Sequence, residues 1–228
     1  MTFSVLGRCA RTGQMGMAIA SSSPAVASRC AWGRAGVGVV ATQNITDPTI
    51  GNRGLDLMEL GADAPGALGI VTGSAPFIQY RQILMLDAQG AVAHFSGGHT
   101  LGINAVAAGE QVVCGGNLLK TDAVPGVMMA AFLAASGEDL GERLLLALEA
   151  GLAAGGEAGP VHSAGLLVVD RESWPVIDLR IDWLDESPVA GLRKAWQIYA
   201  PQLTDYVTRA KDPRAAPGYG VPGDDGRR

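Results

Sequence analysis

Met1-Thr2-Phe3-Ser4-Val5-Leu6-Gly7-Arg8 is the stretch on which the fold turns, a short apolar run over residues 3–8 with Thr2 leading straight into it. A second apolar run, residues 14–21, follows the turn residues Arg11-Thr12-Gly13, and the two predict a β-hairpin. Gly36-Val37-Gly38-Val39-Val40-Ala41 has the same Gly-rich apolar texture as Gly16-Met17-Ala18-Ile19-Ala20 and predicts a third strand over 35–42. Residues 24–34 between them read as a loop or short helix. Residues 44–51 read as a loop, with Asp47-Pro48 as turn chemistry.

Leu55, Met58, Leu60 and the alanines after them predict a helix, and a second short one is expected near 64–71. Residues 81–87 and 91–96 form a hairpin through Asp87-Ala88-Gln89-Gly90, and 111–114 a further strand. Helices are expected over 124–136 and 140–154. In the latter, Leu140, Leu144, Leu148 and Leu152 mark one apolar stripe. A last hairpin over 164–170 and 176–180 and a terminal helix over 188–208 complete the order. Strands and helices come in runs, which argues against a doubly wound parallel sheet. Two stacked, mostly antiparallel sheets with helices outside both satisfy the pattern, an α+β fold in four αββα layers. Strands covered on both faces need no clean polar alternation. We expect one domain over 1–210 and a flexible tail over 211–228, where Pro, Gly and charge accumulate.

Hydrophobic residues make up 48% of the 228 residues and charged residues 17%, a balance that fits a well-buried domain rather than a disordered chain. The net charge of −5 comes without a basic cluster, so no nucleic-acid partner is expected. No run of about 18 apolar residues occurs, so no membrane span is expected either. With no basic and apolar leader, the expected location is cytoplasmic. Cys9, Cys30 and Cys114 form no CxxC pair and read as free core thiols. The sharper alternative is a nucleophilic Cys114 beside Gly115-Gly116. His94, His99 and His162 have no metal-ligand spacing, and neither a metal nor another cofactor is expected.

Thr2 carries the chemistry. Methionine is normally trimmed before a small second residue, which would leave an α-amine and a hydroxyl on one residue. An amine with a pKa near neutrality can take the hydroxyl proton directly or through water, so nucleophile and base arrive together. Asn117, after Gly115-Gly116, can donate to an oxyanion; a tight turn with Asn leading a helix is an equal reading. Polar groups at strand ends, Arg34 before strand three and Gln43 and Asn44 after it, stand where sites collect.

Met1-Thr2-Phe3-Ser4-Val5, the run 36–43, Asp47-Pro48 with Gly51 and Gly54-Leu55, Gly116-Asn117-Leu118, and Glu142-Arg143-Leu144-Leu145 through Ala153-Ala154-Gly155-Gly156 together resemble a bacterial family. It is a domain of unknown function, number 1028, regarded as N-terminal-nucleophile (Ntn) hydrolase-like. The resemblance covers the chain to about Leu192. It implies the αββα sandwich, Thr2 as nucleophile, and Arg34 in place of the lysine that proteasome-like enzymes keep near it. An arginine there acts only through its charge. The aspartate such enzymes keep on strand two is replaced by Ala20-Ser21-Ser22, and where the family tends to have Gly-Gly-Asp followed by basic residues and Gln-Ser this chain reads Gly155-Gly156-Glu157-Ala158-Gly159-Pro160-Val161-His162-Ser163. The resulting expectation is an amidohydrolase acting on a small non-peptide C–N bond. Thr2, Arg34 and Asn117 are its catalytic residues, and Ser22, Gln43, Gly116 and Ser163 line a small-molecule substrate site. The alternative is an inactive Ntn-fold binding or scaffold protein. By analogy with Ntn folds, a homodimer is expected.

Overall fold

The structure is a computed structural model and describes residues 1–222. Its strands are β1 (Thr2–Arg8), β2 (Met15–Ser21), β3 (Ala31–Arg34), β4 (Gly38–Asn44), β5 (Arg81–Asp87), β6 (Val92–Ser96), β7 (Ala105–Gly109), β8 (Val112–Asn117), β9 (Ser163–Val169) and β10 (Ile177–Ile181). Its helices are α1 (Val26–Cys30), α2 (Thr49–Glu59), α3 (Ala64–Ser74), α4 (Val124–Ala134), α5 (Leu140–Ala153), α6 (Pro188–Tyr199) and α7 (Leu203–Lys211). One sheet has six strands in the order β10-β9-β2-β1-β8-β7 and the other four in the order β3-β4-β5-β6. Every pairing in both is antiparallel.

Side-chain alternation sorts each strand between two cores. Phe3 and Val5 join Phe132, Leu144 and Leu148 beneath α4 and α5 on the outer face of the large sheet. Leu6, Met17, Val39, Leu84 and Val113 meet between the sheets. Ile50, Leu55, Leu68 and Val71 cover the outer face of the small sheet from α2 and α3. The four αββα layers follow from strands that are apolar on both faces.

Several elements differ from the sequence reading. β3 lies in the stretch read as loop or helix, and the strand after it starts at Gly38 rather than at 35. The connection between them turns at Gly36, whose φ of +71° suits glycine. β7 went unread because Ala105–Gly109 offers a single β-branched residue and lies at a sheet edge. Gly115-Gly116-Asn117 belongs to β8 and leads no helix, since α4 starts only at Val124. The terminal helix breaks into α6 and α7 at a 3-10 turn over Ala200–Gln202, where Pro201 interrupts the backbone ladder. Of the expected tail, 212–222 forms turns and bends, with the Arg209 guanidinium 4.1 Å from the centre of the Tyr219 ring. Residues 223–228 lie outside the described residues.

Leu144 is fully buried in the α5 stripe, whereas Leu152, one residue from the helix end, is only partly covered. Leu144→Ala is therefore expected to cost about 2–5 kcal/mol in a denaturant titration, and Leu152→Ala clearly less. Equal losses at both positions would contradict this packing.

Candidate active site at the head of the central strand

Thr2 is the first residue of β1, opposite Asn117 of β8, and is 4% exposed. Antiparallel register brings Phe3 opposite Ala20, which carries Ser21 of β2 to the Thr2 end. The Thr2 and Ser21 hydroxyl oxygens are 3.3 Å apart, and both donate to the carbonyl oxygen of Met1. Ser21 Oγ also lies 2.9 Å from Ser23 Oγ. With Met1 attached, the Thr2 nitrogen is an amide and has no basic lone pair.

Thr2 opens onto a cavity of about 290 Å³ shared with Ser23, Arg29, Asn44 and Thr46. Arg29 comes from α1, and its guanidinium donates to the Pro24 carbonyl at 2.6 Å and to Ser23 Oγ at 3.2 Å. Asn44 ends β4 in the left-handed region, at φ 73°, which asparagine tolerates better than most residues. Its side chain bridges the Tyr80 carbonyl and the Leu101 amide, which fixes the far wall.

Beneath Thr2 a buried polar network joins the two sheets. Ser4 Oγ donates to Gln43 Oε1 at 2.9 Å, and Gln43 Nε2 donates to Gln82 Oε1 at 2.8 Å. Asn117 Nδ2 donates to the same Gln82 oxygen at 3.1 Å. Gln82 Nε2 in turn donates to Ser96 Oγ and to the Gly116 carbonyl, each at 3.0 Å. Ser4, Gln43, Gln82 and Asn117 are fully buried, so each of these bonds offsets a desolvation cost of about 1–3 kcal/mol. Asn117 Oδ1 is buried without a partner.

Glu157 lies on the loop after α5, where it bridges to Leu119 just past the end of β8 and comes near the chain terminus. It is 4% exposed, and neither carboxylate oxygen reaches a hydrogen-bond partner. Burial pushes its carboxyl up to about 7, against the pull of the Met1 ammonium and of the Ser22 amide and hydroxyl that face it. Such a carboxyl titrates near neutrality, where a proton-transfer group is most useful.

The residues expected from sequence fall into three groups. Thr2 lines the cavity, whereas Ser22 is outside its lining and faces Glu157 near the chain terminus. Gln43 and Asn117 lie behind Thr2 in the network. Gly116 is there for close backbone approach, since a Cβ on it would come within 3.0 Å of the Thr2 carbonyl and 2.6 Å of Leu119. Ser163 lies to one side, donating to the Ser23 carbonyl at 2.6 Å and accepting from the Val26 amide at 3.2 Å, so it holds the loop that carries Arg29.

Arg34 is a correction. It pairs with Gly38, the far end of β4 from Asn44, roughly 20 Å along the strand by the usual rise. There its guanidinium binds Asp56 at 2.8 Å and Glu59 at 2.6 Å on the surface of α2. The cation beside Thr2 is Arg29, which sequence reasoning missed because residues 24–34 show no periodicity. Ser21 was findable from hairpin register alone. Glu157 was visible only as the acid of Gly155-Gly156-Glu157, where the resembling family tends to carry Gly-Gly-Asp. Cys114 is fully buried in the helix-facing core, and burial pushes its thiol far up, which suits a core thiol and not a nucleophile.

The sequence matches the family of unknown function DUF1028 over residues 2–192, and the chain belongs to that family. The crystal structure of protein SPO2555 from Silicibacter pomeroyi, also assigned to DUF1028, is 30% identical, with a TM-score of 0.81 over 87% of this chain and 89% of that one. Anbu (ancestral beta-subunit) from Yersinia bercovieri aligns over 90% of this chain and 97% of its own at 12% identity, and its TM-score of 0.39 is too low to bear on function. Comparison with curated proteins finds no match. No helix among the described residues is long and apolar enough to cross a membrane.

The raised Glu157 carboxyl sets a sign for stability against pH. The folded state holds its proton up to about pH 7, whereas the unfolded chain releases it near the ordinary value of about 4.3. Folding thus binds a proton in that window, and stability falls as pH rises through it. Glu157→Gln removes the penalty. In protein that carries Met1, its stability relative to the parent should rise between pH 5 and pH 8 by on the order of 2 kcal/mol in urea titrations. A difference that does not change with pH would contradict a buried, unpartnered carboxyl.

Proposed function

We propose that the protein is an N-terminal-nucleophile amidohydrolase that cleaves a small non-peptide C–N amide bond, with Thr2 as nucleophile once Met1 is removed. The observation that carries this reading is the Thr2 hydroxyl at the buried head of β1, facing a polar cavity beside the Ser21 hydroxyl and the Arg29 guanidinium. Trimming Met1 turns the Thr2 amide into an amine and vacates the place of the Met1 carbonyl, which both hydroxyls already serve as donors. A substrate carbonyl fits that description.

In this mechanism the Thr2 amine takes the Oγ proton as Oγ bonds to the carbonyl carbon. Negative charge gathers on the carbonyl oxygen, where the Ser21 hydroxyl donates and Arg29 supplies positive charge. The C–N bond then breaks, with the ammonium returning the proton to the leaving nitrogen. Water repeats the sequence on the acyl-Thr2 ester and releases the acid. Glu157, facing the chain terminus, serves to hold the new ammonium or to relay its proton. Asn117, its amide committed to Gln82, acts by positioning the strand end rather than by touching the oxyanion. At about 290 Å³ the cavity is at the small end of ligand pockets, in keeping with a compact substrate.

A second reading rests on the Met1 peptide bond. While it stays in place the Thr2 nitrogen is an amide, and the cavity binds without turning over. An acylating probe on trimmed protein separates the two, with the adduct mapped by peptide mass spectrometry. The expected result is one acyl group on Thr2, and a loss of at least about 10³-fold in amide turnover in Thr2→Ala. Labelling or turnover that persists in Thr2→Ala would overturn the catalytic reading.

A further inference from the structure

The opposite end of β1 holds a second cluster, unrelated to Thr2. Arg8 closes the strand, Cys9 and Arg11 follow in the hairpin turn, and Arg143 reaches in from α5. Together they line a cavity of about 300 Å³. With six residue steps between Thr2 and Arg8, this cavity is roughly 20 Å from the candidate active site.

Arg143 is the telling residue. It is 7% exposed and forms no salt bridge among the described residues. The guanidinium lies 3.9 Å from the centre of the Phe132 ring and reaches the Phe132 carbonyl only at 3.4 Å. The ring and carbonyl hold it in place without neutralising it. Burial pulls its pKa below the ordinary arginine value, the sign of a cation lacking an anion, and the Cys9 sulfur only partly offsets this. A buried charge with no counter-charge is costly, and an anion bound from outside removes the cost.

The surroundings repeat the sign. Arg8 is tethered by Gln111 at 2.5 Å, while its Nε is buried without a partner. Burial tends to raise the Cys9 thiol, yet the Thr12 hydroxyl, the Thr12 and Arg11 amides and the Arg11 charge bring it below the ordinary value. That corner therefore favours negative charge. Against the three arginines stand Glu110, exposed on the rim, and Asp139, 3.8 Å from Arg11 in a solvent-exposed pair that is weak by nature.

We propose that this cavity binds a small oxyanion, a carboxylate or phosphate group, through the guanidinium groups of Arg143, Arg8 and Arg11. Planar forks of N–H donors suit both groups, and two held arginines leave little ordering entropy to lose on binding. Cys9 beside them acts as a reporter of occupancy.

The test measures iodoacetamide alkylation of Cys9 by peptide mass spectrometry in the full-length protein. Cys114, fully buried in the helix-facing core, is the internal reference, and Cys30, which lines the Thr2 cavity, reports any anion bound there instead. Inorganic phosphate and malonate are titrated separately against sodium chloride at matched ionic strength. At about ten times its dissociation constant, the bound anion should slow Cys9 alkylation about tenfold and leave the other thiols unchanged. Protection by phosphate alone assigns a phosphoryl ligand, and protection by malonate alone a carboxylate. Arg143→Met and, independently, Arg8→Met at the strand end should each abolish it, so the test stands even if one variant fails to fold. No saturable protection by either anion, equal protection by chloride, or protection that survives in a folded variant would overturn the site. The Thr2 reading plays no part in the outcome.

Discussion

Everything functional in this molecule depends on how β1 is held. It is paired along its length with β2 on one edge and β8 on the other, and both of its faces are covered. A strand so placed has no free edge, and its first residue is still paired, with Asn117 of β8. Chain ends are ordinarily the least ordered part of a domain. Here Thr2 is buried to 4% exposure, with its hydroxyl aimed at a neighbouring hydroxyl rather than at water.

The polar network behind Thr2 extends that constraint across the sandwich. Apolar packing fixes how the sheets face each other but tolerates small slides between them. The Ser4, Gln43, Gln82 and Asn117 bonds are directional, so a slide would strand several buried donors and acceptors at once. The network lies at the same end as the cavity, and its cost is met where precise placement matters. Glu157 goes further, since its buried carboxylate faces Ser22 and the chain terminus without closing a full hydrogen bond. A group left unsatisfied in a well-packed fold calls for an explanation in function.

Much of the fold was legible in the sequence because burial on both faces leaves long apolar runs. Residues 3–8, 14–21 and 81–87 read as strands, and the Leu140 stripe as a helix, from the sequence alone. Short edge strands were not legible. Ala105–Gly109 and Ala31–Arg34 owe their pairing to neighbours rather than to their own propensity. The place of Thr2 at the head of a strand was legible, and the chemistry proposed for it needs only that one residue. Arg34 misled because its position before a strand said nothing about which end of the sheet that strand reached. Arg29 comes from a five-residue helix and Glu157 from a loop, and only the packing of distant segments brings the one to the Thr2 cavity and the other to the chain terminus.

The account requires that Thr2 bear a free amine, and intact mass spectrometry of the purified protein reads this directly. The account predicts a single species lighter than the encoded chain by one methionine residue. A protein that retains Met1 throughout would leave the Thr2 nitrogen as an amide and contradict it.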